Sequence, residues 1–420
     1  MKSTVTDISK RIELKVNKTE GIINYDIDNA YPQRVVDIIN ASGTGVSVTE
    51  KFSKFIFGGG FVDENLAKFV VNSKGMTAND LLRKVSNSLS KFNGLTIHAN
   101  YDANLNITSL SNSPFEYARF TTPENEDNPN VLAIYNDWQK TKSTRINKKN
   151  IDFINFYDPN KVQDQVDAIG GWHLYKGQIM YWTFDGIEYP LAPSDSVLED
   201  VQTDYKCKNF KLKNVSTNFL ASYIFEVDAF ENEADREEFV NNLTNFQGDD
   251  NALRIFLLEK IAGQTESGFK MQKVDIQDVN ELYKYTEISA QENTINKYGI
   301  PTVLMKSVAG KLGSSSEIKD ATAQYNGHTL DYRIALEEIF TKLMSRFVGA
   351  NFTDFSIKEM VAATVPVKNT AEGKAKIVEV LTNSSLSVKQ KKGVLKTVYE
   401  LTDSEIEGLE IEEDVNLIVE

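Results

Sequence analysis

Residues 278–301 read DVNELYKYTEISAQENTINKYGIP, and the parsing of this stretch decides the fold. Asp278–Tyr298 reads as one long helix, closed by Gly299-Ile300-Pro301. Glycine allows the positive φ that ends a helix, and proline cannot continue one. Pro301 is the single proline between Asn214 and Phe347. Thr302–Ser316 follows as a loop holding Gly310 and Gly313. Ser314 and Glu317 have capping-box spacing, which predicts the start of the longest helix, Glu317–Val348. Tyr332, Leu336, Ile339, Phe340, Leu343 and Phe347 share one stripe of it, with Glu338 and Lys342 paired outside the stripe. Gly327 in mid-helix predicts a kink.

Upstream, Asn218–Asp228 is apolar and reads as a helix, Ala234–Phe246 as an acid-led amphipathic helix, and Ala252–Glu259 as a strand. Nearer the N-terminus, Asn29-Ala30-Tyr31-Pro32 is a helix start, with Asn29 as cap and proline in the first turn. Gly43-Thr44-Gly45 breaks that helix; a second, about Ser47–Phe57, ends at Gly58-Gly59-Gly60; a third, Ala78–Lys91, is opened by Thr77. The pattern then changes. Leu95–Asn100, Glu116–Thr121, Val131–Trp138, Ile151–Phe156 and the pair His173–Tyr175 and Ile179–Phe184 read as short antiparallel strands, with Lys176-Gly177 and Asp185-Gly186 as turns. Ala371–Leu381 and Ser387–Tyr399 read as two short helices before an acidic tail. The fold class is α+β.

The chain has 420 residues, long enough for two or three packed substructures. Its 41% hydrophobic and 25% charged residues place it with ordinary globular proteins. No run approaches the roughly 18 apolar residues of a membrane helix, and Met1–Lys15 lacks the apolar region of a signal peptide. The expectation is a soluble protein made inside the cell. The net charge of −14 argues against tight wrapping of nucleic acid and does not exclude a pore through which a duplex slides.

Catalytic motifs are tested one by one. Gly310-Lys311-Leu312-Gly313-Ser314 has the letters of a phosphate loop in the wrong order, and no Gly-x-Ser-x-Gly elbow occurs. The lone Cys207 and the dispersed His98, His173 and His328 give no zinc spacing and no intrachain disulfide. Asp249-Asp250 and Glu412-Glu413 read as solvated surface, and Glu237-Glu238 as helix-dipole partners. Nothing supports a catalytic residue, a metal or a cofactor. Two basic clusters stand out: Lys140, Lys142, Arg145, Lys148 and Lys149 around a loop, and Lys206, Lys208, Lys211 and Lys213 before the apolar 218–228 stretch. Each reads as a solubilising face or subunit contact, with DNA or an acidic partner as the alternative.

From Asn214 onward this order resembles the portal proteins of tailed bacteriophages. Asn29-Ala30-Tyr31-Pro32 and Lys54-Phe55-Ile56-Phe57-Gly58-Gly59-Gly60-Phe61 also resemble the N-terminal part of such proteins. The resemblance implies an N-terminal arm (1–28), a wing (29–213), a first stem helix (214–231), a clip (232–277) and a second stem helix (278–299). A tunnel loop (300–316), a long kinked helix returning to the wing (317–369) and a short crown with the acidic tail (370–420) complete it. It implies a ring, usually of twelve copies, at one capsid vertex of the virion, assembled in the host cytoplasm. Partners would be the major capsid protein, the terminase large subunit, the head-tail adaptor and double-stranded DNA, with no membrane. In the tunnel loop, Lys306, Lys311, Ser315 and Ser316 would face DNA. On the stem, Glu281, Glu287 and Glu292 would line the lumen or pair between protomers. Another non-enzymatic virion adaptor, or an enzyme with a β-rich substrate domain, are the other readings.

Overall fold

The computed structural model describes residues 14–17, 21–138, 150–216, 222–228, 230, 232–246, 254–260, 270–274, 279–305, 315–361, 371–382, 387–397, 399, 401, 406 and 409. The basic 140–149 cluster lies outside them. The chain divides into two compact units, residues 1–306 with 323–360, and residues 307–322 with 361–420.

In the first unit, β1 (Leu14–Asn17) and β2 (Ile22–Tyr25) precede α1 (Tyr31–Ala41) and α2 (Gly43–Phe57). The Gly43-Thr44-Gly45 break proves to be the first turn of α2. Ser42 caps it by accepting from Gly45 N (3.0 Å), and Gly45 packs closely against Val201 and Ile39. Asn29 does not cap α1. It holds φ +58°, and its Oδ1 accepts from Tyr25 N (2.9 Å) and from the buried guanidinium of Arg119. That guanidinium lies between the rings of Tyr25 and Trp138, and burial pulls its pKa down to about 10.

Gly58 ends α2 at φ +59°, and a Cβ there would lie 2.0 Å from the Lys358 carbonyl oxygen. The glycine run lets Gly59 N donate to that oxygen (2.8 Å) and Phe61 bridge to Ile357. After the short α3 (Glu64–Lys68), α4 (Ala78–Phe92) opens with a full Thr77/Asp80 capping box and buries Leu81, Leu82, Val85 and Leu89. Four such side chains fully withdrawn from water contribute roughly 2 kcal/mol each.

The main sheet is built from β1, β2, β3 (Gly94–Tyr101), β4 (Ile107–Asn112), β5 (Ala118–Thr121), β6 (Leu132–Ile134), β7 (Asp152–Phe156) and β8 (Gln178–Thr183), in the order β1-β2-β5-β6-β7-β8-β3-β4. It is antiparallel except for β7 and β8, which run parallel. A parallel pair needs a crossover, and α5 (Val162–Ile169) supplies it, with Val162 and Val166 buried and Gly170 in the left-handed region. His173–Tyr175, expected as a strand, lies in the turns that follow α5.

The expected first stem helix is corrected. α6 runs earlier, over Leu198–Ser216, and the apolar 222–228 segment is the strand β9 (Ser222–Asp228). Tyr223, Ile224, Phe225 and Val227 are β-branched or aromatic, types that favour a pleated strand over a helix. β9 pairs parallel to β10 (Arg254–Lys260) and antiparallel to β11 (Lys270–Val274), with α7 (Glu233–Phe246) between β9 and β10 in sequence. α8 (Val279–Lys297), α9 (Thr302–Met305), α10 (Ser315–His328) and α11 (Leu330–Met344) follow.

The interruption expected at Gly327 falls two residues later, at Thr329, the one residue between α10 and α11, and the backbone ladder still passes through it (Thr329 N to Tyr325 O, 3.2 Å; Arg333 N to Thr329 O, 3.4 Å). Thr329 is buried and its hydroxyl donates to Tyr325 O (3.2 Å) and Asn326 O (3.3 Å). Arg333 donates to Asn326 O, Thr329 Oγ1 and, across to α2, Phe55 O, all within 3.0 Å. The main core gathers α2, α4, β3, β4, the end of α8 and α11. The second unit contains α12 (Ala371–Thr382) and α13 (Val388–Thr397), with a small core of Ile377, Leu395, Leu401 and Ile406. No helix of the described residues is long and apolar enough to cross a membrane.

Candidate functional site

Of the expected functional residues, Glu281, Glu287 and Glu292 stand on α8, which packs against α6 in the first unit. Both helices have 19 residues, about 28 Å of rise. Their contacts run in opposite order along the two chains, Asp200 with Asn293, Asp204 with Gln291 and Lys211 with Glu287, so the helices are antiparallel.

Asp204 is the hub. Its side chain is buried, yet it accepts from Ser42 Oγ (2.6 Å) and Lys208 Nζ (2.9 Å) on Oδ2 and from Gln291 Nε2 (3.0 Å) on Oδ1. Burial works to raise its pKa, but these three hydrogen bonds and the Lys208 charge outweigh it and hold the carboxyl below its ordinary value. One carboxylate thus ties α6 to α8 and to the start of α2. Cys207, one turn on, is buried, and burial followed by the charge of Glu287 raises its thiol pKa. A neutral buried thiol is a poor nucleophile.

At its C-terminal end α8 turns sharply. Tyr298 is buried, Gly299 holds φ +62° and Ile300 is buried. A Cβ on Gly299 would press on the His328 ring at 3.3 Å. Tyr325 donates to the Tyr298 carbonyl (3.0 Å), His328 stacks on Tyr325 (5.4 Å, 13°), and Tyr298 meets Phe52 edge-on. His328 is therefore an inter-element contact. The Gly299-Ile300-Pro301 step is fixed to the end of α10 and to α2.

Of the site residues expected from sequence, Lys306 and Lys311 lie outside the described residues. Ser315 and Ser316 are the first two residues of α10, and Glu281 lies in the first turn of α8. Glu287 is half-buried and ion-paired with Lys211 inside the chain, while Glu292 is exposed on α8. The expected 206–213 cluster stands on α6 itself, where Lys208 and Lys211 are committed to Asp204 and Glu287. Sequence reasoning missed Asp204. Its signal was present: an acid on the same helical stripe as Val201 and Cys207, which only a partnered carboxylate tolerates.

Among the described residues no group of three His, Cys, Asp or Glu is placed to hold a metal ion. A cavity of about 240 Å³ beside α4 is lined by Val36, Lys84, Ser88, Lys91, Asn112 and Glu116, among others, and its Ser88 hydroxyl is donated to Gly94 O (2.8 Å).

No family model and no curated protein matches the chain. Among solved structures, the chain is similar to one from the neck of a native GTA particle computed with C12 symmetry, at 10% identity and TM-score 0.44, over 87% of this chain and 93% of that one. It is similar to one in the virion of a native gene transfer agent, at 12% identity and TM-score 0.45, over 88% and 93%. It is also similar to an HK97-family phage portal protein from Corynebacterium diphtheriae, at 10% identity and TM-score 0.37, over 78% and 90%.

Proposed function

We propose that this chain is the subunit of a portal ring, a non-enzymatic assembly that passes double-stranded DNA through its axis at the head-tail vertex of a phage-like particle. One observation carries the reading: the antiparallel α6–α8 pair brackets a small β9-α7-β10-β11 unit, and α8 then turns through Gly299-Ile300-Pro301 into the interrupted α10–α11 helix. This is the stem, clip, stem, step and kinked-helix order of the portal resemblance, with the first stem helix at 198–216. A ring subunit also needs a rigid stem, and the Asp204 and Lys211–Glu287 contacts make α6 and α8 one body.

On this reading the segment from Lys306 to Ser316 faces the DNA, with Lys306, Lys311, Ser315 and Ser316 near phosphates. Glu281 and Glu292 add negative charge to the stem. The acidic whole, −14 per copy, keeps a moving duplex from adhering. Twelve copies, a capsid shell protein, the terminase motor and a tail adaptor complete the expected assembly.

The test is the mass of the purified chain in solution with negative-stain electron microscopy. Rings of about a dozen 47.3 kDa copies with an axial hole wide enough for duplex DNA are expected. A monomer that persists on co-expression with the shell protein would overturn the reading. Deleting Val308–Leu312 should leave rings intact and impair DNA retention; normal packaging by that deletion would remove the DNA role of the loop.

A further inference from the structure

α13 is a basic helix in an acidic protein. Val388–Thr397 holds Lys389, Lys391, Lys392 and Lys396 and no Asp or Glu, in a chain of net charge −14. Lys391 turns inward: it is buried, and its Nζ donates to Leu381 O on α12 (3.0 Å). Lys389, Lys392 and Lys396 stay exposed. At about 100° per residue these three fall within about 60° of one another, and Gly393 borders them about 40° further round. A Cβ on Gly393 would meet nothing within 4 Å, so packing does not call for a glycine there.

Like charges three and four residues apart weaken a helix, and so does a glycine in its interior. α13 carries both, and its own sequence supplies no acid to offset the lysines. Both features suit a face that receives an anionic chain. The lysines bring the charge, and the missing side chain lets that chain come close.

The protein supplies such a segment itself. Residues 400–420 contain nine Asp and Glu and no Lys or Arg, and Glu410, Glu412, Glu413 and Asp414 are the densest run. The approach to that run is tied to the same two helices. Leu401 N donates to Leu395 O (3.2 Å), Leu401 and Ile406 are buried with Ile377 and Leu395, and Leu409 packs against them. Leu395 adjoins Lys396 and stands three residues from Lys392. Five extended residues past Leu409 span up to about 17 Å, whereas the lysine face is only about 10 Å long. So short a tether keeps the acids at an effective concentration on the order of millimolar, enough for weak surface pairs to hold.

We propose that the acidic run Glu410–Asp414 seats on the Lys389–Lys392–Lys396 face of α13 in its own copy and screens that face from nucleic-acid phosphates. The contact lies within one chain and holds whether or not the chain forms a ring.

Two experiments on the full chain test this. In the first, a carbodiimide, which joins a carboxylate to an ammonium only where they touch, is applied to the unsubstituted protein. Joined peptides are then identified by mass spectrometry from the single-copy band of a denaturing gel. Links between 389–396 and 410–414 are expected. Their absence, or their confinement to bands of two or more copies, overturns the seating. In the second, Glu410→Gln, Glu412→Gln, Glu413→Gln and Asp414→Asn are combined, and binding of a fluorescent duplex oligonucleotide is followed against salt. The combined variant should bind about tenfold more tightly than the unsubstituted chain at low salt. Its log–log salt slope should steepen by about 2 to 3, the share of three lysine–phosphate contacts. Adding Lys389→Gln, Lys392→Gln and Lys396→Gln should remove the gain. A combined variant that binds no better shows that no phosphate site is covered, and a gain that survives loss of the three lysines shows that the tail acts elsewhere; either result overturns the screening.

Discussion

Ser42 Oγ donates to Asp204 Oδ2 at 2.6 Å, joining the N-cap of α2 to the middle of α6. The same hydroxyl caps α2 through Gly45 N, so one serine serves a helix start and a helix pair. Because Lys208 and Gln291 also converge on Asp204, loss of the carboxylate strands three polar partners at once. Asp204→Ala should cost about 3 kcal/mol in urea unfolding at pH 7; a loss below about 0.5 kcal/mol, the usual size of a neutral surface substitution, would refute the hub.

The same residue sets an acid dependence. Its folded pKa is depressed, so its contribution is complete above the unfolded carboxyl value near 3.9 and is lost as pH falls through the lower folded value. Asp204→Asn removes that titration. Between about pH 5 and pH 2 the stability of Asp204→Asn should fall less steeply than that of the unsubstituted chain. Parallel slopes in paired urea titrations would contradict it.

Arg333 stitches the interruption between α10 and α11, with its guanidinium donating to Asn326 O, Thr329 Oγ1 and Phe55 O. A lysine keeps the charge but cannot form that fork. Arg333→Lys should therefore destabilise by about 2–3 kcal/mol and speed hydrogen exchange at amides around 329–333. Unchanged exchange there would show that the interruption holds without the fork.

Cys207 reports on the seam. It is buried and its thiol pKa is raised, first by burial. Thiol reagent at pH 8 should label it at least roughly a hundredfold more slowly than in the urea-unfolded chain. Prompt labelling of the native protein would mean that α6 and α8 separate readily.

Gly58→Ala places a Cβ 2.0 Å from the Lys358 carbonyl at φ +59°. Glycine alone fits both the dihedral and the gap, so the substitution should cost about 3 kcal/mol. A midpoint shift of no more than a few tenths of a kcal/mol, read against the usual size of neutral changes, would place Lys358 elsewhere.

Elements whose local signals agree were legible in sequence. Thr77 and Asp80 cap α4 and its apolar residues keep one period, so its bounds were read within a residue. α8 was read almost as closely, from 278–298 to 279–297. The 218–228 run was misread because a short apolar stretch bounded by polar residues has no period that separates a buried helix from a strand. β4 went unseen because its buried residues, Ile107 and Leu110, stand three apart around a bulge at Asn100 and Tyr101 and do not alternate. Gly327 drew the kink because glycine is the visible helix breaker; the interruption at Thr329 depends on Arg333 and on Phe55, far away in sequence. Asp204 was hidden for the same reason, since its partners come from three separate segments.

The main core draws on residues 48–110 and 295–357, with the chain between them leading away into the rest of the sheet and the α6–α8 arm. On a ribosome the two halves of that core emerge far apart in time. At usual synthesis rates about 250 residues take on the order of 10 to 50 s. During that interval the apolar faces of α2 and α4 have no α11 to close against. Nascent chains should then need a chaperone or slow refolding, and a circular permutant that brings residues 323–360 to the front should fold sooner.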